Sequence, residues 1–109
     1  MIKITIYKDQ ETKYKSFEVI GHAGFAKNGN DIVCAGVSAL VINALNSIEQ
    51  LTTDTITVHT DENSGLIKCE FTQIPTKEAE MLVDSLVIGL KGIQNDYSNK
   101  YIELVFKEV

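Results

Sequence analysis

Apolar and polar positions along the 109 residues change rhythm several times. Ile2, Ile4 and Ile6 alternate with Lys3, Thr5 and Tyr7, the two-residue period of a half-buried strand. A polar turn, Asp9-Gln-Glu-Thr, follows, and Tyr14 to Ile20 resumes extended character through Phe17 and Val19, so the two segments predict a hairpin. Beyond a Gly-containing polar stretch the period lengthens. Val37, Leu40, Val41, Ala44, Leu45, Ile48 and Leu51 recur every three or four residues, the stripe of an amphipathic helix, with Asp31 placed to cap it. Ile56 to His59 and Leu66 to Phe71 predict a second hairpin turned by Asp61-Glu62-Asn63-Ser64-Gly65. Pro75-Thr76 opens a second helix, with Glu78 and Glu80 near its positive end and a stripe of Ala79, Leu82, Val83, Leu86, Leu90 and Ile93. Tyr101 to Lys107 closes the series as a strand with Ile102, Leu104 and Phe106 on one side.

The order ββαββαβ predicts an α+β two-layer sandwich: a mixed, mostly antiparallel sheet with two helices on one face. The length suits one domain over residues 1–109. Val105, Ile67 and Cys69 are expected on the face away from the helices, leaving apolar surface there for a dimer contact.

Composition trims the functional classes. The 44% hydrophobic and 23% charged fractions are those of an ordinary globular domain. No continuous apolar run reaches the roughly 18 residues of a bilayer span, and the alternating N-terminus lacks a signal-peptide core, so no membrane association and a cytoplasmic location are expected. Two cysteines cannot build a disulfide scaffold, and two histidines without CxxC or HxxxH spacing give no metal site. A net charge of −5 argues against direct nucleic-acid binding.

The chemistry concentrates between Gly21 and Ser38. His22 ends the second strand, and Cys34 falls in the first turn of the first helix, where free amides and the helix dipole favour a thiolate. An imidazole and a thiol facing one loop are the parts of a cysteine hydrolase. Asp31 has two roles open to it, capping the helix or orienting His22. Gly24, Phe25 and Gly29 belong to the intervening loop and are candidates for meeting a substrate, with Phe25 placed to cover the site; Ser38 lies one turn beyond Cys34. Cys69, mid-strand between Lys68 and Glu70, reads as a structural or surface thiol, and His59 as a sheet-face histidine.

Gly-His-Ala, a short Gly-containing loop and Asp31-Ile-Val-Cys-Ala-Gly-Val-Ser-Ala39 together resemble the signature of the ribosomal-processing cysteine protease family, Prp or YsxB-like, and the element order resembles that family over the whole chain. The resemblance implies an endopeptidase that needs no cofactor. It would remove the N-terminal extension of a large-subunit ribosomal protein precursor, in the cytoplasm and as a homodimer. It assigns catalysis to His22 and Cys34 and leaves Asp31 less defined. In the implied acyl transfer, first-turn amides near Cys34 and Ala35 hold the oxyanion. The alternatives are a non-catalytic ribosomal-protein-binding assembly module, and a thiol redox enzyme in which Cys69 would have to approach Cys34.

Overall fold

The computed structural model describes residues 1–27 and 30–109. Its elements are β1 (Ile2–Lys8), β2 (Tyr14–Gly21), α1 (Ile32–Leu51), β3 (Ile56–Asp61), β4 (Leu66–Phe71), α2 (Lys77–Tyr97) and β5 (Ile102–Glu108), the predicted order. The strands form one sheet in the order β3-β4-β2-β1-β5. All neighbours are antiparallel except β1 and β5, which run parallel, so the sheet is mixed.

Registry puts the apolar alternates on one face. Ile4 pairs with Val19 and Leu104, Ile6 with Phe17 and Phe106, and Ile2 with Ile102. The α1 residues Val33, Val37, Val41, Ala44, Leu45 and Ile48 pack on this face together with Ala79, Val83, Leu86, Val87 and Leu90 of α2. By length and composition alone α1 could cross a membrane, with mean hydropathy 1.6 over its most apolar window. Its fully buried stripe is instead engaged in this core.

One sequence expectation is corrected here. Ile67 and Cys69 lie on the helix side, because Cys69 pairs with Phe17 and Ile67 with Val19. Cys69 is completely buried. Within β4 the alternation sets Ile67, Cys69 and Phe71 against Leu66, Lys68 and Glu70, and the more apolar set takes the core. Val105, paired with Thr5, stays on the open face among Lys3, Glu18 and Lys68. The apolar residues of that face are therefore Val105, Ile20 and Leu66, in place of the expected trio.

The helices run antiparallel and approach closely through glycine. A Cβ at Gly36 would sit 3.3 Å from Ile93, and one at Gly89 2.8 Å from Leu40. This pins the first turn of α1 against the C-terminal end of α2, where the site lies.

Candidate active site

His22 follows the last residue of β2, and Cys34 is the third residue of α1. They line one cleft of about 430 Å³, with Ser38 and Ile42 of α1 on one wall and Thr60, Asp61 and Glu62 of β3 and its turn on the other. A smaller adjoining hollow is lined by His22, Gly24, Ala26, Asp31 and Cys34. His22 is exposed and Cys34 half-buried. Among the described residues no hydrogen bond joins the imidazole to the sulfur. The N–H of Ala23 instead donates to Cys34 Sγ at 3.2 Å.

Asp31 is the N-cap of α1. Its Oδ1 accepts the N–H groups of Val33 and Cys34 at 3.0 Å each, satisfying two of the orphan donors of the first turn. Its Oδ2 accepts the N–H of Phe25 at 3.0 Å, which ties the loop to the helix start. Burial pulls the Asp31 carboxyl upward, but the amides of Cys34 and Phe25 outweigh it and leave the group below its ordinary range. No hydrogen bond or ion pair links Asp31 to His22 among the described residues.

These bonds correct two expectations about the thiol. The first-turn amides are already engaged: Cys34 N–H with Asp31 Oδ1, and Ala35 N–H with the Asp31 carbonyl at 3.0 Å. They are not free to hold an oxyanion in this arrangement. The thiol is also less acidic than usual, not more. Desolvation raises its pKa, and the Asp31 carboxylate adds to the rise, against the Ala23 N–H that lowers it. The helix N-terminus does favour an anion, but Asp31 has taken that place.

Phe25 does not cover the cleft. Its ring packs edge-on against Tyr97, centroids 5.7 Å apart, and against Tyr101 at 5.1 Å. Two aromatic partners, one ending α2 and one just before β5, offer the ring more than an open cleft does. Gly24 adopts a φ of +70° and lines the smaller hollow, Ser38 lines the larger cleft, and Gly29 lies outside the described residues. His59 is an exposed residue of β3 with Glu70 Oε1 3.7 Å from its Nε2. Burial pushes the Cys69 thiol up to about 12, and both cysteines are free, so a resolving role for Cys69 has no support.

The sequence reading did not place the β3–β4 turn at the site. Gly21 N–H donates to the Ser64 carbonyl at 2.8 Å. Gly65, at φ +68°, approaches so closely that a Cβ there would meet the Gly21 carbonyl oxygen at 2.4 Å and His22 Cε1 at 3.3 Å. The turn thus buttresses the histidine. The Gly in the turn was its only sequence signal, and that signal says nothing about which distant residue the turn touches.

The model of the family described as Cysteine protease Prp matches residues 1–103. The chain belongs to that family. The ribosomal processing cysteine protease Prp of Bacillus subtilis is 34% identical over 103 residues, covering 91% of this chain and 92% of that protein. The protein of the same name from Staphylococcus aureus is 31% identical over 98% of this chain and all of its own length. A crystal structure of the S. aureus protease with a covalently linked product peptide superposes with a TM-score of 0.93 at 31% identity, covering 98% of this chain and 100% of that one. A Streptococcus mutans structure, SMU.848, gives 0.86 at 27% identity, covering 100% of this chain and 96% of that one.

Proposed function

We propose that this cysteine protease removes the N-terminal extension of a large-subunit ribosomal protein precursor, with Cys34 as nucleophile and His22 as proton carrier. The observation that carries the reading is that His22, just after β2, and Cys34, at the start of α1, line one open cleft in a chain of this family. Relatives named for ribosomal processing, and a substrate-peptide complex of the S. aureus protease, support the substrate class.

With no hydrogen bond between the imidazole and the sulfur among the described residues, the scheme uses deprotonation on demand. As the peptide fills the cleft, His22 takes the Cys34 proton and the sulfur adds to the scissile carbonyl. The Ala23 N–H, already aimed at the sulfur, is the available backbone donor for the oxyanion that forms beside it. Collapse of the adduct breaks the C–N bond, and the amine leaves with the proton carried by His22. Water, deprotonated by His22, hydrolyses the thioester and frees the new carboxyl end. Asp31 serves this scheme by holding the helix start and the loop together.

Asp61 and Glu62 on the cleft wall, with the net charge of −5, suit a cationic ribosomal protein. The reading includes cytoplasmic residence, a homodimer and no direct binding to nucleic acid. Incubation with the genome-matched precursor, followed by sequencing of the new N-terminus, tests it. Cleavage is expected from the wild type and from Cys69→Ala, and none from folded Cys34→Ala. Retained cleavage by Cys34→Ala, or binding of the precursor without turnover by the wild type, overturns it.

A further inference from the structure

We infer that Tyr97 and Tyr101 form a fixed aromatic seat that, by gripping Phe25, holds the start of the His22 loop so that His22 lines the cleft beside Cys34. The inference rests on the peptidase reading for its kinetic consequence, but not for its structural one.

The seat belongs to the scaffold. Tyr97 is the last residue of α2, whose C-terminal end is pinned to the first turn of α1 through Ile93 and Gly36. Tyr101 precedes β5, and its carbonyl accepts the N–H of Ile2 at 2.9 Å, which fixes it to the sheet. Both tyrosines are partly buried against the core. Phe25, by contrast, lies in the loop and owes its position to few partners. Its N–H reaches Asp31 Oδ2, and its ring meets the two tyrosines edge-on, with interplanar angles of 90° and 74°. Edge-to-face pairs of this kind favour one docked geometry over others of similar burial.

His22 is thereby held from two sides. The β3–β4 turn supports it through Gly21 and Gly65, and Phe25 anchors the chain three residues further on. The Ala23 N–H that donates to Cys34 Sγ lies between the two anchors. Phe25, Tyr97 and Tyr101 are positioning residues; none lines the cleft.

A protein whose competent state is only fractionally populated binds its ligand more weakly by that fraction. Phe25→Ala and Tyr101→Leu are therefore expected to raise the KM for a precursor peptide by about three- to ten-fold with kcat largely kept, as when the docked fraction falls to roughly a third to a tenth. Tyr101→Phe keeps the ring and should behave as wild type. The double variant Phe25→Ala/Tyr101→Leu should lose little beyond Phe25→Ala alone, because both changes break the same grip.

Amide hydrogen exchange reads the loop without any turnover. The Ala23 amide and the amide at position 25 should exchange severalfold faster, relative to their intrinsic rates, in Phe25→Ala and Tyr101→Leu, while the β1 and β2 amides keep their protection. Faster exchange at those two amides with an intact sheet supports the seat. Unchanged exchange in Phe25→Ala, strictly additive effects, or equal damage from Tyr101→Phe and Tyr101→Leu overturns it. Absence of cleavage by the wild type would count against the peptidase reading alone, since the exchange experiment still decides the seat.

Discussion

Removing Asp31 separates a helix cap from a triad member, and the two roles predict opposite effects on the thiol. Asp31→Ala deletes the acceptor for three N–H groups, those of Val33, Cys34 and Phe25. An N-cap is worth about 1 kcal/mol, and the further loop bond brings the expected loss to roughly 1–2 kcal/mol. For a domain near this size each kcal/mol moves Tm by about 4–8 °C, so a fall of roughly 4–16 °C is expected. Asp31→Asn retains an amide oxygen that can cap the helix but carries no charge, and should recover most of that loss. Both substitutions remove the carboxylate that helps hold the Cys34 thiol pKa up. The thiol should therefore become more acidic in each. Scanning calorimetry gives the first quantity, and the rate of Cys34 alkylation by iodoacetamide across pH gives the second, with Cys69 shielded by burial. An alkylation midpoint in Asp31→Asn that stays put or moves upward would refute the electrostatic reasoning. A Tm for Asp31→Ala equal to the wild type would refute the cap.

Gly65→Ala should cost about 1–3 kcal/mol for a left-handed non-glycine residue, before the clash with the Gly21 carbonyl is counted, and should slow peptide cleavage by displacing His22. Gly92→Ala, in a helix with open space around it, is the matched control and should raise Tm slightly. Asp54 accepts the N–H and hydroxyl of Thr76, the N-cap of α2. Burial raises its pKa, but the Thr76 bonds prevail and depress it. A carboxyl whose folded pKa is depressed contributes stability that is fully present above its unfolded pKa of about 3.9 and is lost as pH falls through the lower folded value. Urea titrations from pH 5 down to pH 2 should thus show a shallower acid decline for Asp54→Asn than for the wild type; parallel declines would remove Asp54 from the account.

Most of the fold was legible because the pattern is locally consistent. The stripes of both helices, the Asp31 cap, the Pro75-Thr76 opening of α2 and the alternation of β1 all point to the same elements that form. The facing of β4 was misread because Leu66, Ile67, Cys69 and Phe71 put apolar residues on both sides, and only pairing with Phe17 and Val19 chooses between them. At the site, His22 and Cys34 stood out by residue type and spacing. The occupation of the first-turn amides did not, since it depends on the rotamer of Asp31. Phe25 was read as a cover because its partners, Tyr97 and Tyr101, lie more than seventy residues away in the chain. Local sequence cannot reveal such a pairing.

The two chemical groups ride on different kinds of element, an imidazole on a strand end braced by a neighbouring turn and a sulfur on a helix start. His22, Ala23, Phe25 and Asp31 all lie between Gly21 and Ile32, so an insertion or deletion there shifts groups that the site uses. A library that keeps the strand end and the helix start in register varies side chains on the cleft wall instead, at Thr60 and Glu62.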